Sequence, residues 1–205
     1  MPNAPSTNPV DPHLAGYEIV IGVSGGIAAY KVCEVVSRLV QCGAGVTVAM
    51  TRSARRFVGP ATFQALSGRR VLTSLWSPDR PDDVQHIGVT DAADLTLIAP
   101  ATANLLAKIA AGIADDLVST LMVSAASPIL LAPAMNARMW ANPIVQRNVA
   151  TLAALGYRTV GPGEGWLACR TVGPGRMAEP VEIVDAAVAA LRGAAPKSAL
   201  PKRGT

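Results

Sequence analysis

Short β-branched and apolar runs alternate along this chain with stretches of helical character. Residues 17–23 (YEIVIGV), 45–50 (GVTVAM), 94–99 (DLTLIA) and 128–132 (PILLA) are mostly apolar on both parities, the pattern of strands buried on both faces. A shorter strand is expected over 157–160. Between these runs the pattern predicts helices over 27–41, near 61–66, and over 105–112, 117–125 and 143–155, with a last amphipathic helix over 181–192. A helical turn is expected between His86 and the third main strand. Such alternation implies a single α/β domain, a Rossmann-like doubly wound parallel sheet with helices on both faces. The domain is expected to span 16–192, between a disordered arm (1–15) rich in Pro, Asn, Ser and Thr and a disordered tail (193–205). Residues 161–180 break the pattern. They are rich in glycine and proline yet carry Trp166, Leu167, Cys169 and Met177, which a linker would not, so a lid without secondary structure is expected.

Composition narrows the class. Half of the 205 residues are apolar and 16% are charged, enough apolar content for one well-buried core. No apolar run approaches the roughly 18 residues that span a bilayer. The first residues lack the basic and apolar regions of a secretory signal, so a cytoplasmic location is expected. The net charge of +4 comes partly from Lys197, Lys202 and Arg203, with a second cluster at Arg52, Arg55 and Arg56. These charges are not interleaved with aromatics, so no nucleic-acid platform is expected. Cys33, Cys42 and Cys169 show no CxxC spacing, and His13 and His86 are far apart; neither a disulfide framework nor a metal site is expected. Cys33 and Cys42 read as small core residues.

Candidate chemistry gathers at the strand ends, where open parallel sheets bind ligands. After the first strand, Ser24-Gly25-Gly26-Ile27 makes a tight turn into a helix, a place where backbone can approach an anion. The turn is neither GxGxxG nor a Walker motif, which leaves a mononucleotide phosphate open as its ligand beside a plain strand-turn-helix connection, which also favours glycine. Thr51 and Ser53, with Phe57 nearby, follow the second strand and offer hydroxyls for phosphate or ribityl oxygens. Pro100-Ala101-Thr102-Ala103-Asn104 follows the third. Pro133-Ala134-Met135-Asn136 follows the fourth, ahead of Met139 and Trp140. Asn136 reads equally as a helix cap and as a ligand-binding amide, with Met139 and Trp140 walling a pocket.

Three motifs at these spacings, SGGIAAYK, PAMNARMW and LAC followed by GPGRMAEP, together resemble the flavin-containing cysteine decarboxylase family. The resemblance runs from about residue 17 to 191 and is most specific at PATAN, DDLVST and PAMNxxMW; within the family it is strongest to the branch of coenzyme A biosynthesis that acts on phosphopantothenoylcysteine. It implies a flavodoxin-related fold, FMN bound at a subunit interface, and homotrimers that can pack into dodecamers. Carried over by position, Gly25, Gly26, Ile27, Ser53, Phe57, Thr102, Ala103, Asn104 and Ala134 would contact FMN, alongside Ser24 and Thr51 of the same turns. His86 matches the family's active-site histidine, Asn136 the asparagine that holds the substrate carboxylate, and Cys169 the flap cysteine. Met139, Arg170 and Met177 would complete the substrate contacts. Two positions depart from the family: Arg170 replaces a glycine after the cysteine, and Gly88 replaces an acidic residue after His-Ile. Bacterial members often continue into a ligase domain, and none is expected within these 205 residues.

The implied chemistry gives each residue a task. A cysteine carboxylate cannot leave as carbon dioxide without an electron sink, and oxidation of the thiol to a thioaldehyde creates one. A flavin suits that two-electron oxidation and the later return of hydride to the enethiol. His86 would assist thiol deprotonation or orient the carboxylate. Asn136 would hold the carboxylate while leaving it able to depart. Cys169, whose ordinary pKa keeps it mostly protonated at neutral pH, would supply the final proton. The rival readings are a peptidyl-cysteine flavin decarboxylase, a flavin prenyltransferase, and a non-catalytic flavoprotein that regulates a phosphatase.

Overall fold

A computed structural model describes residues 13–76 and 85–199. Its main sheet has five strands, β1 (Glu18–Val23), β2 (Gly45–Met50), β3 (Leu95–Ala101), β4 (Ile129–Pro133) and β5 (Arg158–Thr159). They are all parallel and lie in the order β2-β1-β3-β4-β5. Every residue of β3 and β4 is buried, which explains why these runs show no polar alternation. The order changes direction between β1 and β3, and that switch point is where doubly wound sheets open a crevice.

Two apolar layers hold helices to the sheet. On one face pack α1 (Ala29–Gln41), α2 (Pro60–Ser67) and α8 (Pro180–Leu191). Helix α1 buries Ala29, Val32, Val35, Val36 and Leu39, one stripe at helical spacing. Phe63 of α2 is completely buried, and truncating it to alanine would cost about 3–5 kcal/mol. The other face carries α4 (Ala103–Ala110), α5 (Leu117–Ser124) and α7 (Pro143–Ala154), with α3 (Gln85–Ala92) packed on α5. Asp116 caps α5 by accepting the Ser119 amide at 2.9 Å, and the Ser119 hydroxyl accepts the Asp116 amide in return. The expected sheet, its helices on both faces and their order are all present.

Two segments differ from expectation. Residues 161–180 are not structureless: β6 (Gly163–Trp166) and β7 (Val172–Arg176) form an antiparallel hairpin. The hairpin lies against the four-residue helix α6 (Ala137–Trp140). Its β7 side is fastened to the body by the Met135 amide, which donates to the Gly175 carbonyl at 2.9 Å. Gly175 has φ +117°, and a Cβ there would overlap the Met135 carbonyl oxygen, so a glycine is what allows this contact. The chain after α8 is also tied down as far as it is described. Asp94 accepts the backbone amides of Glu18 and Lys197, each at 2.7 Å, and the Ser198 hydroxyl donates to the Gly16 carbonyl. Buried Leu14 likewise anchors the end of the expected N-terminal arm, donating its amide to Cys42. Residues 1–12 and 200–205 of the two expected tails lie outside the described residues.

Candidate active site

The loops after β1, β2, β3 and β4 meet around one cavity of about 920 Å³, at the upper end of ligand pockets in size. Of the residues expected to hold a cofactor, Ser24, Gly25, Gly26, Ile27, Thr51, Ser53, Thr102, Ala103, Asn104 and Ala134 all line it. Residues up to 110 positions apart are gathered because each follows a strand whose carboxyl end lies at the same sheet edge. Ser24 is buried and stitches the switch point together: its hydroxyl bridges the Pro100 carbonyl at 2.6 Å and the Thr102 hydroxyl at 3.0 Å, and accepts the Thr102 amide. It therefore shapes the turn as much as it faces the cavity. Gly25 abuts Ser53 so closely that a Cβ on it would overlap the serine's own Cβ. Helix α1 begins beside this turn without a side-chain cap and without an acidic residue in its first turn. An anion at that end would meet peptide dipoles with no competing carboxylate.

Asn136 and Cys169 come together at the cavity wall. The two readings of Asn136 turn out to be compatible. Its Oδ1 accepts the Arg138 amide at 2.8 Å and caps α6, while its Nδ2 donates to Cys169 Sγ at 3.0 Å. Cys169 is exposed on the hairpin turn, 3.1 Å from the Thr171 hydroxyl. Its thiol is held below its ordinary pKa chiefly by the Thr171 hydroxyl; desolvation opposes this, and the Asn136 amide adds a smaller lowering effect. Cys33 and Cys42 show the reverse: burial pushes both thiols up, as suits core residues. Met139 and Met177 also line the cavity, Met177 as part of the buried core.

Other expected site residues are placed differently. Phe57 closes the short 3₁₀ turn Ala54–Arg56 and is half exposed, outside the cavity lining, because the turn buries Ala54 instead. Arg170 also lies outside the lining. It sits at the hairpin turn with φ 63°, a left-handed conformation that costs a side-chain-bearing residue about 1–2 kcal/mol and that glycine adopts freely. The glycine that the family resemblance leads one to expect here would adopt this conformation without that cost. His86 falls in the first turn of α3, and its side chain lies outside the described residues.

Lys31, Lys108 and Arg176 of the lining were not singled out from sequence, and Asp116 lines the cavity as well as capping α5. Lys31 has its partner 148 positions away, whereas Lys108, Asp116 and Arg176 have theirs within eight residues. Lys31 Nζ meets Glu179 Oε2 at 2.8 Å, and Arg176 meets the other oxygen of the same carboxylate at 2.5 Å. The Lys31 ammonium, with Arg176 adding to it, holds the Glu179 carboxyl below its usual range. Lys108 pairs with Asp115 at 2.6 Å and Asp116 at 2.7 Å. Burial works against the Asp116 charge, but the Lys108 ammonium and the Ser119 amide outweigh it and lower that carboxyl's pKa.

A 2-1-3-4-5 parallel sheet with an anion-receptive turn at its switch point and a cysteine-bearing hairpin over the crevice defines a flavodoxin-like α/β protein built around a nucleotide-sized ligand. The model of the flavoprotein family matches residues 7–192, and the chain belongs to that family. It is 50% identical over 174 residues to the coenzyme A biosynthesis bifunctional protein CoaBC of Bacillus subtilis, covering 85% of this chain and 43% of that protein. The CoaBC of Escherichia coli is 49% identical over 176 residues, covering 86% and 43%. This chain thus spans less than half the length of these curated relatives. Among solved structures, a PPC decarboxylase cysteine-to-serine mutant complexed with pantothenoylaminoethenethiol has a TM-score of 0.74 at 30% identity, covering 83% of this chain and 96% of that one. The FMN-dependent cysteine decarboxylase SpaF has a TM-score of 0.72 at 35% identity, covering 85% and 99%.

Proposed function

We propose that this chain binds FMN and decarboxylates 4'-phosphopantothenoylcysteine (PPC) to 4'-phosphopantetheine, a step of coenzyme A biosynthesis. The observation that carries the reading is the Asn136–Cys169 contact at the wall of the strand-end cavity. An amide and a thiol held 3.0 Å apart are the groups needed to grip a carboxylate and to return a proton. The relatives named CoaBC and the PPC decarboxylase neighbour point the same way.

The residues fit the cofactor. The Gly25–Gly26 turn, the uncapped start of α1 and the Ser53 hydroxyl suit its phosphate, and Thr102, Ala103, Asn104 and Ala134 line the remainder of the cavity. Bound FMN would supply the two-electron oxidation of the substrate thiol and the later return of hydride. The chain's own residues do the rest. Asn136, fixed by its capping bond, presents its amide to the substrate carboxylate. His86 assists at the thiol. Cys169, a thiol made more acidic than usual by Thr171 and Asn136, donates the last proton to carbon. The hairpin within 161–180 acts as the flap that excludes water while this happens.

The same reading includes a homotrimer or a multiple of it, which is supported by the exposed apolar side chains of Ile27, Tyr30 and Met139 among the cavity lining. It also includes a cytoplasmic location; no described helix is long and apolar enough to cross a membrane. Purified protein should be yellow, should release FMN rather than FAD on denaturation, and should liberate carbon dioxide from PPC. A colourless protein that cannot be reconstituted with FMN, or a yellow one inert toward PPC, overturns the proposal.

A further inference from the structure

The hairpin carries a second functional group besides Cys169. We infer that Arg176, oriented by Glu179 and seated beside Lys31, recognises the phosphate of the substrate and so selects phosphorylated over unphosphorylated acyl-cysteines. This rests on the decarboxylase reading above and adds a specificity residue to it.

The placement comes first. Arg176 and Lys31 line the same cavity as Asn136 and Cys169. Glu179 binds both cations, one on each carboxylate oxygen, so two positive charges and one negative leave the trio at +1. The Lys31 side chain is only 12% exposed and is committed to this pair, whereas that of Arg176 is 43% exposed. The Arg176 side chain lies along β6: a Cβ on Gly165 would meet its Nη1 at 3.0 Å and its Cδ at 3.2 Å. Glu179 on one side and Gly165 on the other thus fix the guanidinium. A guanidinium has five N–H donors in a planar fork, and the single carboxylate oxygen bound here does not exhaust them. That fork matches a phosphate or a carboxylate, and with the substrate carboxylate held at Asn136 the phosphate is the group left for it.

The length is also right. From Thr171, which touches the Cys169 thiol, to Arg176 is five residues, at most about 16 Å at a strand's rise and less because the chain bulges at Gly175. PPC has eleven bonds between its cysteine α-carbon and its phosphorus, about 13 Å when extended at the spacing of a polypeptide backbone. A substrate with its thiol end at Cys169 therefore brings its phosphate to the neighbourhood of Arg176. Arg170, the other flap arginine, lies at the turn and outside the cavity lining. The anion-receptive start of α1, beside Gly25 and Ser53, is left for the phosphate of the cofactor.

The test compares kcat/KM for carbon dioxide release from PPC and from pantothenoylcysteine, using FMN-loaded wild type, Arg176→Gln, Arg176→Lys and Arg170→Gly, with flavin content read by absorbance. Loss of a charge-assisted pair to phosphate should lower the PPC-to-pantothenoylcysteine ratio about 10- to 100-fold in Arg176→Gln, chiefly through KM for PPC. Arg176→Lys, which keeps the charge but not the fork, should lie between, and it reports independently if the glutamine variant does not fold. Arg170→Gly should keep the wild-type ratio. An unchanged ratio in both Arg176 variants overturns the inference. So does loss of flavin with the ratio intact, since Arg176 would then serve the cofactor. A collapse of the ratio in Arg170→Gly would move the role to the turn. If wild type releases carbon dioxide from both compounds equally, only this inference fails; if it releases it from neither, the decarboxylase reading itself is wrong.

Discussion

Asn136 carries two tasks that a pair of substitutions separates. Its Oδ1 caps α6 through the Arg138 amide at 2.8 Å, and its Nδ2 donates to the Cys169 thiol at 3.0 Å. Asn136→Ala removes both bonds. Asn136→Asp keeps the capping acceptor and removes the donor. Loss of an N-cap costs about 1 kcal/mol, which for a domain of this size corresponds to roughly 2–4 °C in Tm. Alanine should therefore lower Tm by about that amount. Aspartate should not, since a carboxylate caps equally well and its charge is favoured at a helix N-terminus. The thiol should behave oppositely. Asn136 is one of the groups holding the Cys169 pKa down, so both variants should move it up, and aspartate further because its charge repels the thiolate. The thiolate is the form that reacts. Iodoacetamide labelling of Cys169, followed by peptide mass spectrometry as a function of pH, should shift to higher pH in the order wild type, alanine, aspartate. Neither variant should release carbon dioxide from PPC. If aspartate destabilises as much as alanine, or if the labelling profile does not move in either, the amide does not hold the thiol as described.

Cys169→Ser should release carbon dioxide for about one turnover and retain the unreduced enethiol, identified by mass spectrometry of the bound product, because a serine hydroxyl is too weak an acid for the last proton; turnover to the saturated thiol at a near wild-type rate would show that Cys169 is not the donor. Gly25→Ala should fold but bind FMN weakly in a fluorescence-quenching titration, since its new Cβ must displace Ser53, a strain of about 1–3 kcal/mol; unchanged affinity would mean that the turn does not hold the cofactor. Asp116 contributes stability through a lowered pKa, so its share is fully present above its ordinary value of 3.8 and is lost as pH falls through the lower folded value. Asp116→Asn should therefore lower the unfolding free energy near neutral pH, by no more than about 1 kcal/mol for a partly exposed pair, and the difference from wild type should vanish in strong acid; a gap that persists there would exclude the Lys108 ion pair as its source.

The sheet was readable from the chain because parallel strands buried on both faces have to be continuous apolar runs, and those of β1 to β4 are. Most of the cavity was readable for a related reason. Turns that follow parallel strands share one edge, so SGG, TRS, PATAN and PAMN converge without any long-range information beyond strand direction. The hairpin was not readable. Its strands, GEGW and VGPGR, hold few residues of high β propensity and a proline, and what fixes them is the body of the protein: the Met135 amide on the Gly175 carbonyl, and Gly173 beside Ala137. Nor could a local pattern show that residues 194–199 pack down, since the anchor is the Asp94 carboxylate 103 positions from Lys197.

Local sequence thus determined the strands of the main sheet and the helices beside them, and which turns line the strand-end cavity, because burial and helical periodicity act over a few residues. Charge partnership was left to the tertiary structure. Lys31 and Glu179 are 148 residues apart, and Asn136 and Cys169 are 33 apart. A single ionic or thiol contact leaves no periodic trace in a sequence. Only the packing of α1, α8 and the hairpin around one sheet edge decides that a cation on the first helix shares a carboxylate with an arginine on the flap, or that a capping amide also reaches the flap cysteine.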